Sequence, residues 1–167
     1  MKILLTKKLG LKIIYPNTFF KDKRGLYLET FNMQKYKKSG ININFREDDF
    51  SINKRNVFKG IHGDNKTWKL VSCISGKIIL FVVNCDQKSK KFGIYEKFIL
   101  NSKKYFQVLI PPKFGNSFFV LQNNSIFHYK QSKEYAGMKS QFTYKWYDKN
   151  INLPLNKKKL IISNRDK

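Results

Sequence analysis

Short hydrophobic runs follow one another along the chain, and most of them are four to eight residues long. They are rich in Ile, Val, Phe and Tyr, and they are separated by Gly, Asn, Asp, Ser and Lys at the spacing typical of hairpin-connected strands. The runs are KILLT, LKIIY, LYLETF, INFREDDFSI, NVFKGIH, WKLVSCI, KIILFVVN, IYEKFIL, YFQVLIP, NSFFVLQ, SIFHYKQ and QFTYKWY. This pattern predicts an all-β sandwich or barrel.

Turn and helix signals complete the predicted architecture. Asn32–Gly40 (NMQKYKKSG) is the best candidate helix, because Asn favours the start of a helix and Gly favours its end. Hairpin turns are predicted at Ser75–Lys77 and at Gln122–Ser125. Because no linker or repeat interrupts the pattern, we expect one domain over residues 1–167, built as a cupin-like jelly roll with one or two short helices.

The sequence also bears on compartment and redox state. No apolar run approaches the ~18 residues needed to span a bilayer. The start MKILLTKKLG has only ILL as an apolar core and no small-residue cleavage site, so a cytoplasmic protein without membrane contact is expected. Cys73 and Cys85 lie in apolar runs without a CxxC partner, which predicts buried, reduced thiols.

The charge balance is strongly basic, with 34 Lys and Arg against 11 Asp and Glu and a formal net charge of +23. Such a balance can indicate nucleic-acid binding. However, the Lys residues are scattered between the apolar runs, in segments such as TKK, KDKR, KYKK and NKKK. This distribution favours a solvated basic surface, so no nucleic-acid partner is expected. A positive field would still attract a small anionic substrate.

Histidine is rare, and one of the two residues, His62, lies in VFKGIHGD just before a Gly-Asp turn signal. Because His exchanges a proton near neutral pH, His62 could be a base, a metal ligand or a core residue. Metal-binding cupins usually carry two His one residue apart, whereas His128 stands alone in SIFHYK. We therefore expect no metal site and interpret His128 as a structural or surface residue.

Six segments, taken in order, resemble one family. They are FKDKRGLYLETF, FREDDFSINKRNVFKGIHGD, KLVSCISGKIILFVVNCDQKSKKFG, VLIPPKFGNSFFVL, YKQSKEY and LIISNRD. They resemble motifs of the dTDP-4-dehydrorhamnose 3,5-epimerase family, such as F-x-D-x-R-G-x-x-x-E-x-F and I-P-x-G-F-A-H-G-F-x-x-L. The resemblance implies a cupin without metal or cofactor that acts on a nucleotide-linked 4-keto sugar. It further implies a homodimer in which a strand near the N-terminus helps to complete the partner's site.

The resemblance implies catalytic roles for several residues. Epimerisation beside a ketone needs a base on one face of the sugar, an acid on the other and a cation near the enolate oxygen. His62 matches the base, and Asp166 matches the carboxylate that orients it, which implies that the C-terminal segment folds over the site. Lys69 matches the lysine near the ketone oxygen. Tyr135 matches the acid, and Tyr129 is the alternative because a one-residue insertion or deletion blurs the alignment here.

Three further positions are implied to bind the nucleotide diphosphate. Arg24 and Lys59 match family arginines that contact phosphate or nucleotide, and Glu29 matches a glutamate that helps to bind the nucleotide. At position 59, the exchange of Arg for Lys replaces a bidentate fork with a point charge.

Four candidate binding residues depart from the family. Glu47 and Asp49 replace Gln and Asn, which removes hydrogen-bond donors and adds negative charge. Asp64 belongs to a Gly-Asp pair that replaces Tyr-Gln, and Asn116 replaces His. The combination of IHGD with FGNS resembles a branch that acts on GDP-linked 4-keto heptoses in capsule biosynthesis.

The predicted function is therefore inversion of carbon 3, carbon 5 or both in a nucleotide-linked 4-keto sugar. A GDP-4-keto-heptose is favoured over a dTDP-4-keto-6-deoxyhexose. One alternative is a single-carbon epimerase or a ketoisomerase on the same scaffold, and another is a non-catalytic module that binds sugar or nucleic acid.

Overall fold

A computed structural model describes residues 1–16 and 19–167. Their strands form two large sheets and a separate hairpin, which confirms the predicted all-β jelly roll. The strands are β1 (Lys2–Leu5), β2 (Lys12–Tyr15), β3 (Phe19–Asp22), β4 (Gly25–Leu28), β5 (Glu47–Asn53), β6 (Val57–Gly63), β7 (Lys69–Ser75), β8 (Lys77–Asn84), β9 (Tyr95–Asn101), β10 (Gln107–Ile110), β11 (Phe114–Val120), β12 (Ser125–Gln131), β13 (Phe142–Thr143) and β14 (Ile161–Ile162). One α-helix, α1 (Met33–Lys38), and the 3-10 turns Met138–Ser140 and Lys157–Lys159 accompany them.

The first sheet has the strand order β1-β2-β10-β7-β12-β5, and its neighbouring strands are antiparallel. Alternate side chains of each strand point to opposite faces. On β12, Tyr129 faces the second sheet, whereas His128 lies on the opposite face with its Nε2 2.6 Å from an Asp48 carboxylate oxygen on β5. This pairing outside the inter-sheet space agrees with the structural interpretation of His128.

The second sheet has the order β13-β6-β11-β8-β9, and β14 adds to β6 in parallel. Because β13 and β14 share one edge of β6 and β11 covers the other, the strand that carries Lys59 and His62 is paired on both sides. Gly60 lies between them with φ +109°, and an added Cβ would lie 2.5 Å from the Asn116 carbonyl oxygen. Only glycine tolerates both this backbone conformation and so close an approach.

The main core fills the space between the two sheets. It contains buried residues from both inner faces, namely Leu11, Val71, Cys73, Ile78, Leu80, Val82, Phe98, Leu100, Val108, Ile110, Phe118, Val120 and Phe127. Trp146, Ile151 and Leu153 from the C-terminal part cover the outer face of the second sheet. Both free cysteines, Cys73 and Cys85, are buried as predicted.

The outer face of the first sheet, which points away from the second sheet, is covered only in part. Tyr36 of α1 packs there in a cluster with Ile14, Leu70 and Leu109. Beside this cluster, the large apolar side chains of Phe50, Ile52 and Ile74 are exposed.

Local predictions can be compared with these elements. Asn32 caps α1 as expected, because its side chain accepts a hydrogen bond from the Lys35 backbone N–H. The predicted hairpin turns connect β7 to β8 and β11 to β12. The run QFTYKWY differs from expectation, because only Phe142–Thr143 pairs as a strand and the following residues pack over the second sheet. Among the described residues, no helix is long and apolar enough to cross a membrane.

Candidate active site

A pocket opens between the two sheets beyond the main core. Six of the predicted site residues line it, namely Lys59, His62, Lys69, Asn116, Tyr129 and Tyr135. Its remaining walls are Ser51, Val71, Phe118, Phe127, Gln131, Gln141 and Arg165. The pocket therefore combines an apolar floor with a concentration of basic and hydroxyl groups.

His62 and Asp166 form the best-defined polar contact of the pocket. The His62 Nε2 lies 2.6 Å from Asp166 Oδ1, and the Asp166 side chain is almost completely buried. Ser163 Oγ donates to the other Asp166 oxygen. Burial alone would raise the pKa of Asp166, but the hydrogen bonds from His62 and Ser163 outweigh it and hold the pKa below its ordinary value. The C-terminal segment thus folds over His62, as the resemblance implied.

Lys69 is a buried cation at the wall formed by the first sheet. It is the first residue of β7, and only 6% of it is exposed. Its Nζ donates to Asn116 Oδ1 at 3.2 Å. Burial lowers the pKa of Lys69, Asp64 opposes this, and Arg165 lowers the pKa further. An ammonium group with this little solvation is stabilised by an anion that enters the pocket.

Lys59 supplies a second cation on the β6 wall. Burial lowers the pKa of Lys59, although the charge of Asp166 opposes the shift. Its Nζ lies 5.8 Å from the centre of the Phe118 ring, which turns an electron-rich face to the ammonium group. Asn116 is the cross-strand partner of His62, so Lys59, His62 and Asn116 share one side of the second sheet.

The two candidate acids occupy different positions. Tyr129 is on β12, inside the pocket and on the sheet opposite His62. Burial raises the pKa of Tyr129, and the carboxylates of Asp49 and Glu47 raise it further, so its hydroxyl keeps its proton at neutral pH. Tyr135 lies in the loop after β12 at the pocket mouth and is 51% exposed.

Glu47 and Asp49 lie on β5 next to this wall. Asp49 is the cross-strand partner of Tyr129, and Glu47 is the partner of Gln131. Gln131 Nε2 donates to both carboxylates, at 2.6 Å to Glu47 and 3.3 Å to Asp49. Burial raises the pKa of Asp49, and the adjacent Glu47 raises it further.

The remaining predicted residues lie outside this pocket. Asp64 accepts hydrogen bonds from the backbone N–H groups of Lys66 and Thr67, which stabilises the turn after β6. It lines a second cavity that shares Tyr135, Gln131 and Gln141 with the first. The structure does not bring Arg24 or Glu29 to the pocket of their own chain.

Each of these two side chains has a partner elsewhere. Arg24 pairs with Asp22 at the tip of the β3–β4 hairpin, at 2.6 Å. Glu29 pairs with Lys35 of α1, at 2.9 Å. Both pairs are local, so they do not by themselves indicate a binding role.

Sequence reasoning missed several residues of the pocket wall. Gln131 and Ser51 follow Tyr129 and Asp49 at a spacing of two residues on their strands, so the strand periodicity could have identified them. Arg165 precedes Asp166, and its guanidinium donates to Gln141 and Thr143. No local pattern distinguishes this arginine among so many basic residues.

Comparison with known proteins identifies relatives over almost the whole chain. The family model described as dTDP-4-dehydrorhamnose 3,5-epimerase matches residues 6–167. The Shigella flexneri protein of that name is 28% identical over 158 residues, which cover 92% of this chain and 87% of the relative. The protein of that name from Methanothermobacter thermautotrophicus is 30% identical over 128 residues, covering 75% of this chain and 69% of the relative.

Solved structures agree with the sequence relatives. The Legionella pneumophila dTDP-6-deoxy-D-glucose-3,5-epimerase in complex with dTDP-4-keto-L-rhamnose superposes with a TM-score of 0.89 at 30% identity, covering 99% of this chain and 89% of the other. The Bacillus anthracis dTDP-4-dehydrorhamnose 3,5-epimerase with TDP and PPi bound also gives 0.89, at 25% identity, covering 99% and 95%. This chain is therefore a member of the dTDP-4-dehydrorhamnose 3,5-epimerase family of isomerases.

Proposed function

We propose that this chain inverts carbon 3, carbon 5 or both of a nucleotide-linked 4-keto sugar. The observation that carries the proposal is the contact of His62 with the buried Asp166 on one pocket wall, opposite Tyr129 on the other. Inversion beside a ketone needs a base and a proton donor on opposite faces of the sugar ring. The two walls offer these groups in that relation.

In this proposal His62 is the base. Because Asp166 accepts a hydrogen bond from Nε2, the neutral imidazole carries its proton there and offers Nδ1 as the basic atom. When Nδ1 takes the proton from carbon 3 or carbon 5, His62 becomes a cation. The buried carboxylate of Asp166 then stabilises that cation, as a carboxylate does beside a catalytic histidine.

The ketone oxygen is proposed to lie near Lys69. Removal of the proton moves negative charge onto this oxygen, and the buried ammonium stabilises the resulting enolate without needing solvent to reorganise. Lys59 and Arg165, which also line the pocket, are proposed to bind the diphosphate. The chemistry requires no change of oxidation state, so the proposal includes no redox cofactor.

Tyr129 is the better candidate for the acid. It lies inside the pocket on the wall that faces His62, whereas half of Tyr135 is exposed at the mouth. Inversion requires the acid to protonate the carbon from one face, so the acid must lie where solvent water does not reach the carbon first. We therefore propose that Tyr129 returns the proton and that Tyr135 contacts the substrate at the mouth.

The nucleotide and the sugar are separate parts of the proposal. The relatives are named for dTDP-linked hexoses. The residues that depart from the family motif are Glu47, Asp49, Asp64 and Asn116. Asp49 is the cross-strand partner of the proposed acid Tyr129, and Asn116 accepts a hydrogen bond from the buried Lys69. These departures support a GDP-4-keto-heptose as substrate, and hence a role in capsule or surface polysaccharide synthesis.

Substrate incubation in deuterium oxide tests the function directly. We expect GDP-4-keto-heptose to gain deuterium at carbon 3, carbon 5 or both, with inverted product, and dTDP-4-keto-6-deoxyglucose to react more slowly. NMR of the recovered sugars identifies the positions. A faster reaction of the dTDP sugar would contradict the heptose assignment, and no exchange in either sugar would contradict the epimerase itself.

The position of Arg24 and Glu29 supports a homodimer. The resemblance gives both residues a role in nucleotide binding, yet neither lines the pocket of its own chain. Arg24 lies at the tip of the β3–β4 hairpin, and Glu29 directly follows β4. This hairpin pairs with no other described strand and exposes Phe20, Leu26 and Tyr27. A second copy would supply this hairpin to the pocket and cover its apolar side chains.

The exposed part of the outer face of the first sheet is the proposed contact of the two copies. Phe50 is 65% exposed there, so Phe50→Asp should leave the single chain folded. We expect this variant to sediment as a monomer and to lose nucleotide affinity, because the partner's hairpin would be absent. Ile99→Asp alters an exposed apolar residue of the second sheet and should remain dimeric. A Phe50→Asp dimer with normal affinity would contradict the proposed contact.

A further inference from the structure

The loop that carries Tyr135 over the pocket mouth has few attachments. Residues 133–136 are all exposed. Within the part of the chain that the structure describes, their backbone makes one hydrogen bond to the rest of the protein. The Tyr135 N–H donates to Glu47 Oε2 at 2.7 Å. The position of the Tyr135 ring therefore depends on a single side chain of β5.

Glu47 is itself held firmly. Its second oxygen, Oε1, accepts a hydrogen bond from Gln131 Nε2 at 2.6 Å, and Gln131 is only 4% exposed. Both carboxylate oxygens are thus occupied by donors of this chain. An ionised acceptor makes a stronger hydrogen bond to a backbone N–H than a neutral amide does. The acidic residue suits this position, where the family motif has Gln.

We propose that Glu47 is a positioning residue, which holds Tyr135 at the pocket mouth and raises substrate affinity without contacting the substrate. The inference rests on the proposed function, and it gives Glu47 a different role from the direct contact expected of a candidate binding residue. Asp49 lies beside Glu47 but makes no hydrogen bond to the loop in the described chain. Glu47 therefore holds the loop that carries Tyr135, whereas Asp49 accepts a hydrogen bond from Gln131.

A double-mutant cycle separates positioning from contact. Glu47→Ala removes both acceptor oxygens and should raise the KM of the reacting sugar roughly tenfold, with kcat changed less than about twofold. In a Tyr135→Ala background, Glu47→Ala should add almost nothing, because the residue on which it acts is gone. Glu47→Gln keeps one acceptor oxygen and should recover most of the affinity.

Amide hydrogen exchange provides a readout that does not depend on turnover. Glu47→Ala should increase the exchange rate of the Tyr135 amide, because its hydrogen bond is lost, while the melting temperature changes little. Asp49→Ala is the matched control on the same strand and should leave this amide unchanged. Unchanged exchange in Glu47→Ala would overturn the proposal.

The kinetic outcomes are equally decisive. If Glu47→Ala and Tyr135→Ala raised KM additively, Glu47 would contact the substrate itself and the positioning role would be wrong. If the wild-type protein turned over no 4-keto sugar, the proposed function would fail. The exchange rate of the Tyr135 amide would still decide whether Glu47 holds the loop.

Discussion

His62→Asn is expected to abolish both deuterium exchange and inversion while the fold and nucleotide binding remain. Asparagine can still hydrogen-bond to Asp166, but it cannot take a proton at neutral pH. Loss of a positioned acid-base group typically lowers the rate by ~10²–10⁴-fold. The measurement is the rate of solvent deuterium incorporation at carbon 3 and carbon 5, together with nucleotide affinity by calorimetry.

The second histidine provides a matched control. His128 contacts Asp48 on the outer face of the first sheet, away from the pocket. His128→Asn should therefore retain the exchange rate, although it can lower stability because it removes a buried contact. Deuterium exchange by His62→Asn at a near wild-type rate would show that another group is the base.

Tyr129→Phe is expected to separate exchange from inversion. The substitution removes one hydroxyl group and keeps the ring that packs against Phe127. His62 can still abstract the proton and Lys69 can still stabilise the enolate, so deuterium should enter the recovered substrate. Inverted product should fall by ~10²–10⁴-fold, because no donor remains on the opposite face. NMR of recovered substrate and product measures both rates in one sample.

Tyr135→Phe is the comparison variant, because it removes a hydroxyl group at the mouth of the same pocket. It should retain most of the inversion. If Tyr135→Phe lost inversion and Tyr129→Phe retained it, Tyr135 would be the acid. Equal loss of exchange and inversion in both variants would mean that the tyrosines position the sugar and do not deliver the proton.

The fold could be predicted from the sequence because its signals are local. The hydrophobic runs, the Asn32 cap and the hairpin turns depend on neighbouring residues, and the structure contains them where expected. The packing of Trp146, Ile151 and Leu153 over the second sheet could not be predicted in this way. The run QFTYKWY, which contains Trp146, is apolar because most of it packs on the second sheet and not because it pairs as a strand, and the two cases look alike in sequence.

The candidate site could be predicted only in part. The contact of Asp166 with His62 joins residues 104 positions apart, and only the resemblance suggested it. Tyr129 and Tyr135 were ambiguous because a one-residue insertion or deletion blurs the alignment at this point. Only the folded chain shows that Tyr129 lies on a strand inside the pocket and Tyr135 in an exposed loop. The tie between Glu47 and Tyr135 depends on a backbone N–H, which carries no sequence signal at all.

The two faces of strand β5 have different surroundings, because one is turned to the pocket and the other to the outside of the first sheet. Ser51 lines the pocket, and Glu47 and Asp49 lie on the same face, where Gln131 donates to both, while Asp48, Phe50 and Ile52 face outward. Insertion or deletion of one residue in this strand would exchange the two sets. Divergence towards new sugars within this lineage should therefore proceed through single-residue replacements at every second position of the strand, and descendants with altered substrates should keep the proposed contact between two copies.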